Sequence, residues 1–368
     1  MNRIYRLVFN RALGVMQVAS EITQNPTGGG KSAGRHLPGL KAHRLALALT
    51  ATLASGSAFA ACTTAGAVIT CDGATDQNNL SSTANGVTLN IATGAVLSVP
   101  PVLGGTAVTL SGNGITVNNQ GTIDPTINGG LSLAAAGMVL GNNTAGGNTI
   151  NVNNQAGGSI KGLVNIGSIL GYGGQALVTQ NAAGGVTNIT NDGTVDMSIL
   201  GAGLFTTADA AAIVSYGGAQ TNLTNSGSIT GRIGLGGSTA GNHVINAGSI
   251  TGSVHLGNST TTGNTFTAVS GSSVNRGVLA TGIAGVLGTV GVNLAAAGIV
   301  DGGTGASDRL LLQNSASGPG AGTGGTVTNL VWGNYTGFEN LTVNSGTWNL
   351  QGAWTGTSAT INDGTGTE

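Results

Sequence analysis

Charged side chains make up only 6% of this chain and aromatic ones only 3%. A compact globular core leans on large apolar side chains such as Leu, Phe and Trp. Here the apolar share comes mostly from Ala, Val, Ile and Leu, diluted by Gly, Asn, Thr and Ser. The scarcity of charge also excludes simple disorder, which needs low hydrophobicity with high net charge; the formal net charge is −1 and the mean hydropathy +0.23. Basic residues are nearly absent from most of the chain. Seven of the eleven (Arg3, Arg6, Arg11, Lys31, Arg35, Lys41, Arg44) precede position 45. Beyond residue 60 only Lys161, Arg232, Arg276 and Arg309 remain, against eleven acidic residues. No basic patch is left there to neutralise phosphates, so no nucleic-acid partner is expected. What the chain does have is glycine, 68 residues of it, spread among β-branched residues with a visible period. That is the texture of a stacked β-repeat protein.

The first sixty residues read as an export address. Leu45 to Ala54 is an apolar run, preceded by Lys41, His43 and Arg44 and followed by Ser57 to Ala60. A positive flank, a short apolar core and an A-x-A site make a secretory signal, with cleavage expected after Ala60. The core is too short to span a bilayer. A lipoprotein signal would cut before Cys62 and needs an aliphatic residue where Phe59 stands. Ahead of this signal lies Met1 to Gln24, which opens Met1-Asn2-Arg3-Ile4-Tyr5-Arg6 and continues with Asn10, Gly14 and Val18-Ala19-Ser20-Glu21. This stretch resembles the extended signal peptide region of type V secretion systems. The resemblance implies a large exported passenger, slowed transit through the inner-membrane secretion machinery, and a leader expected to be helical. Asn25 to Gly34 contains GGGKS, but a phosphate loop needs Gly where Asn25 stands, so the stretch reads as linker.

Cys62 and Cys71 open the exported part, nine residues apart. An oxidising compartment favours a disulfide there, worth ~2–3 kcal/mol for so short a loop. No C-x-x-C motif or neighbouring His points to redox or metal chemistry.

A Gly-[ST]-[IV] frame recurs at Gly121–Ile123, Gly158–Ile160, Gly193–Val195, Gly227–Ile229 and Gly248–Ile250, with a weak copy at Ser272–Val274. The steps are 37, 35, 34, 21 and 24 residues. Short steps fit one coil of a solenoid, and longer ones a coil with an insertion. Within a copy the period is two: Ile160, Val164 and Ile166, or Ile229, Ile233 and Leu235, or Ile250, Val254 and Leu256, fall on one face. Thr230, Arg232 and Gly234, with Thr251, Ser253 and His255, fall on the other, which suits solvent. A helix is excluded by that spacing and by the glycine content. Asn119, Asn191, Asn225 and Asn246 each precede the repeat Gly by two residues. Asn tolerates a tight corner, and stacked copies can hydrogen-bond in a column. The expected fold is all-β, a right-handed parallel β-helix of about ten to fourteen coils, roughly 50–65 Å long.

The expected organisation is a leader (1–24), linker and signal (25–60), an N-terminal cap with the cysteine pair (61–110), β-helix repeats (111–330) and aromatic-rich last coils (331–368). Val331 to Gly356 holds Trp332, Tyr335, Phe338, Trp348 and Trp354, five of the nine aromatics after Ala60. This stretch resembles the late passenger of autotransporters. The resemblance implies an outer-membrane translocator barrel to follow, and the sequence as written lacks one. A truncated form, a split gene or a separate translocator partner are the expectations this leaves open.

Catalytic signatures are missing: there is no G-x-S-x-G elbow and no H-E-x-x-H. His243 and His255 stand alone. Asp192 and Asp196 could act as a glycosidase pair but have no basic partner in their repeat. Asp301 to Asp308 echoes a calcium-binding repeat, yet occurs once. No cofactor and no metal are expected. Two readings remain. The first is an exported, adhesin-like passenger contacting a host or sibling-cell surface, with Gly171 to Gly185 and Ala202 to Gly218 as candidate contact loops. The second is a β-helical polysaccharide hydrolase or lyase, or a fragment of a two-partner-secretion exoprotein.

Overall fold

A computed structural model of the chain describes residues 5–10, 15–20 and 61–367, apart from 74–75, 100–104, 126–133, 166–173, 201–209, 260–261, 277–293, 318–326 and 363–364. It forms two compact units, 1–58 and 59–368. The linker and secretory signal expected over 25–60 lie outside the described residues.

In the first unit Tyr5–Asn10 and Val15–Ser20 pair antiparallel, from Tyr5↔Ser20 to Asn10↔Val15. This corrects the expected helical leader. Both strands carry residues that favour extended backbone, Tyr5, Val8 and Phe9 in one, Val15 and Val18 in the other.

The second unit is a parallel β-helix. A coil consists of a first-sheet strand, a tight corner, a second-sheet strand, a second corner and a third-sheet strand. Val186–Asn191, Thr194–Leu200 and Ala211–Tyr216 make one such coil. The first sheet has twelve strands, ending at Ser358–Ile361. All are parallel except Thr63–Ala65, which folds back antiparallel on Val68–Cys71. The parallel stack therefore begins at Val68, inside the segment expected to be cap. At about 4.8 Å per strand, its eleven parallel strands stack over roughly 50 Å.

Three apolar columns fill the interior. The first sheet contributes Val117, Val152, Ile189, Leu223, Val244, Phe266, Leu310 and Leu341, each in register with the next. The second contributes Ile123, Ile160, Val195, Ile229, Ile250 and Val274. The third contributes Met138, Leu177, Ile213, Ile233, Val254, Val300 and Tyr335. One coil cannot bury its inner face alone, and stacking supplies the missing cover. Burying each aliphatic side chain is worth about 1.5–3 kcal/mol.

Coil length explains the uneven repeat steps. In Ser228–Leu235 and Ser249–His255 the second and third strands run on without insertion. Gly231 turns the corner between them at φ +124°, and a Cβ there would sit 2.7 Å from Ala212 Cβ. In the longer coils the chain leaves at this same corner, between Ile123 and Ala134, Asn165 and Leu177, and Leu200 and Ala211.

The insertions displace some expected core positions. Ile160, Ile229, Ile233, Leu235, Ile250, Val254 and Leu256 are all buried. Val164 is only half-buried, pairing with Ala134 and Ile199 on the excursion. Leu177 fills the third-sheet column in its place. Ile166 lies outside the described residues. The outward reading of Arg232, Ser253 and His255 is also corrected, for they are 4%, 0% and 6% exposed. Chain from a later coil covers this face: Ser253 Oγ donates to the Ala295 carbonyl at 2.8 Å.

At the C-terminal end Thr328–Val331, Thr347–Gln351 and Thr365–Thr367 form a three-stranded parallel sheet. Trp348 is fully buried there, and Trp332 packs on Trp354 with ring centroids 5.2 Å apart.

Candidate functional surface

Asparagine organises two corners of the coil. At the corner after the first sheet, Asn119 Nδ2 donates to Asn154 Oδ1 at 2.8 Å. Asn154 donates to Asn191 at 2.7 Å, Asn191 to Asn225 at 2.7 Å and Asn225 to Asn246 at 2.9 Å. The same amides reach main-chain carbonyls of the next coil, such as Asn191 Nδ2 to Ser228 O at 3.2 Å. All five side chains are buried, so each satisfied bond avoids a desolvation cost of about 1–3 kcal/mol. Asn154 escapes the two-before-glycine rule because Gln155-Ala156-Gly157 separates it from Gly158.

A second buried column, unseen from the sequence, stands where the third sheet returns to the first. There Oδ1 of a later coil accepts a backbone N–H from the preceding one. Asn242 accepts from Thr221 at 2.8 Å, Asn264 from Asn242 at 2.8 Å, and Asp308 from Asn264 at 2.6 Å. The available signal was the recurring Gly-Asn before the strand, at Gly241-Asn242 and Gly263-Asn264. Asp308 breaks the chemistry. Its Oδ2 is buried with no hydrogen-bond partner. Burial pushes its pKa up to about 6, with Asn264 and the Gly305 backbone opposing and Glu339 adding to the rise.

The outer face of the first sheet carries amide ladders of its own. Asn118 donates to Asn90 at 2.9 Å and Asn153 to Asn118 at 2.8 Å. In the neighbouring row Asn188 donates to Asn151 at 3.0 Å and Asn222 to Asn188 at 2.9 Å. These side chains are half-buried, and Asn118, Asn151 and Asn188 are held by hydrogen bonds from both sides. Each keeps a second N–H and a second lone pair for whatever lies outside. The second row continues through His243, Thr265 and Arg309. Burial lowers the pKa of His243, which favours its neutral form on this face.

The residues considered for chemistry are scattered. Asp192 accepts the Ser226 hydroxyl, and Asp196 accepts the Met197 backbone N–H at 2.9 Å. Lys161 Nζ lies 2.7 Å from Asp124 Oδ2. His255 spends both ring nitrogens: Nδ1 accepts the Gly257 N–H at 3.0 Å, and Nε2 faces Asp301 Oδ2 at 3.7 Å. Burial lowers the His255 pKa and Asp301 opposes that fall. Asp301 Oδ1 accepts the Gly303 N–H at 3.0 Å, closing a turn, while Asp308 belongs to the corner column. Among the described residues no three His, Cys, Asp or Glu side chains gather as a metal site. Cys62 and Cys71 are joined by a disulfide at the end of the stack where Thr63–Ala65 folds back. Of the two candidate contact loops, Gly171 to Gly185 contains the strand Leu177–Gln180 and Ala202 to Gly218 the buried strand Ala211–Tyr216. In the first, only 171–173 lie outside the described residues, and Gln175 to Thr179 with Asn181 are buried, which leaves Ala183 and Gly184 as its exposed tip; in the second, 202–209 lie outside the described residues.

Residues 1–52 match the family described as the Extended Signal Peptide of Type V secretion system. The match runs past Gln24 through the linker and into the apolar run at Leu45. The chain thus carries the leader of a type V secreted protein and is exported across the inner membrane. No curated protein and no solved structure matches the chain.

Proposed function

We propose that the chain is an adhesin-like, autotransporter-type passenger that attaches cells to a surface or to each other. The observation that carries this reading is a type V leader joined to a solenoid whose outer face is a pre-ordered amide array. A rigid array loses little conformational freedom on binding. Its flat, repeated geometry suits an extended partner better than a reacting small molecule. The reading takes the chain as a binder and not an enzyme, displayed at the cell surface through an outer-membrane translocator. The partner is a ligand on a host or sibling cell.

The test is display of residues 1–368, fused to a translocator barrel, on a non-adherent bacterial host. Cells should gain attachment or aggregation, and protease added outside should remove it. Surface display with no gain in either would refute the proposal. A polysaccharide screen run in parallel addresses the hydrolase reading. Turnover abolished by Asp192→Asn would replace the adhesin with an enzyme.

A further inference from the structure

The amide face is not uniform. At its N-terminal end the outer row Asn90 and Asn118 faces a second amide pair at the corner, where Gln120 Nε2 donates to Gln155 Oε1 at 2.5 Å. Between them runs a shallow groove of about 270 Å³, with Thr70, Ile91 and Ala92 completing it. From Thr70 to Gln155 it crosses four successive coils, roughly 14 Å at the strand spacing.

From this groove we infer a binding site for a neutral oligosaccharide, a deepening that rests on the adhesin reading. Four amide side chains line it, and none of its lining residues is ionisable. Each amide offers donor and acceptor together, which matches sugar hydroxyls that also donate and accept. The bonds within each pair fix the amides before a ligand arrives. A sulfated or uronic-acid glycan would bring charge to a site with no cation to meet it. A nucleic acid is disfavoured for the same reason. A peptide adding itself as a strand needs an open sheet edge, and here every strand under the groove is already paired on both sides.

The experiment measures binding of the exported full chain to cellotetraose, chitotetraose and a heparin tetrasaccharide on a biosensor. It includes the Asn118→Ala/Gln120→Ala double variant and an Asn329→Ala control on the C-terminal three-stranded sheet, away from the amide face. At least one neutral tetramer should bind and the heparin fragment should not. The double variant should lose at least tenfold in affinity at unchanged thermal melting, and Asn329→Ala should bind as the parent does. If the double variant does not fold, Gln120→Ala alone, at the exposed rim, must still weaken binding. The groove assignment is overturned if neither neutral tetramer binds, if only heparin binds, or if folded groove variants keep full affinity. Cells that still attach while tetramers fail to bind leave the adhesin reading standing and remove the groove. Tetramers that bind to a chain conferring no attachment do the reverse.

Discussion

Replacing Asp308 with Asn should make the C-terminal coils more stable at neutral pH. The carboxylate stands where Asn242 and Asn264 stand in the preceding coils, accepting one backbone N–H and leaving Oδ2 buried without a partner. Its folded-state pKa rises from 3.8 to about 6, chiefly through burial. A raised acid pKa means that the folded chain binds the proton more tightly than the unfolded chain does. The stability it contributes is therefore complete below the unfolded value and is lost as pH climbs through about 6. A rise of that size corresponds to at most ~3 kcal/mol over the full titration, of which ~2 kcal/mol falls between pH 4 and pH 7. Glu339, whose Oε2 accepts the Asp308 N–H at 2.8 Å, is the nearest second acid. An amide at 308 keeps the acceptor and removes the buried charge. The assay is urea unfolding followed by tryptophan fluorescence. All three tryptophans, Trp332, Trp348 and Trp354, lie in the coils that follow Asp308 and report on them locally. The parent midpoint should fall between pH 5 and pH 7. Asp308→Asn should flatten that fall and raise the pH 7 midpoint. An unchanged or lowered midpoint at pH 7, or a parent midpoint that rises with pH, would refute the reasoning.

Asn191→Ala removes the donor to Asn225 and the acceptor for Asn154 in mid-column. It should cost about 2–4 kcal/mol, since two buried partners lose their bonds, and hydrogen exchange should quicken in the flanking coils. Gly231→Ala should destabilise the chain by at least ~1 kcal/mol, because the new Cβ meets Ala212 Cβ and the Ala210 carbonyl at 2.7 and 2.9 Å in left-handed backbone; a thermal melt reads this. Reducing Cys62–Cys71 should expose the Thr63–Ala65 fold-back to protease while leaving later coils intact. Uniform digestion along the chain would contradict that.

The coiled architecture was legible because its register is written in the sequence. The Gly-[ST]-[IV] frame aligns Ile123, Ile160, Val195, Ile229, Ile250 and Val274, and these residues stack in one column, the weak last copy included. Legibility fails where the chain departs from the coil. After Gly162 the strand runs on to pair Leu163–Asn165 with Ser198–Leu200, so a parity carried over from Ile160 misplaces Val164. Arg232, Ser253 and His255 alternate as surface residues do. Ser253 and His255 are covered by chain some forty residues away, at Ala295 and Asp301, which local period cannot register. The second asparagine column sits before strands, where an Asn looks like any turn residue. The leader's strands are short runs in which helix and strand patterns overlap. The amide groove is assembled from four coils and has no local signature at all.

Coil stacking itself is best tested by one distance. Thr116 and Thr265 occupy the same outward row, joined through Asn151, Asn188, Asn222 and His243. Spin labels on Thr116→Cys and Thr265→Cys should lie roughly 24 Å apart, five strand spacings, in a narrow distribution measured by pulsed electron paramagnetic resonance. A separation beyond 40 Å, or a broad spread without a peak, would show that these coils do not lie on one another.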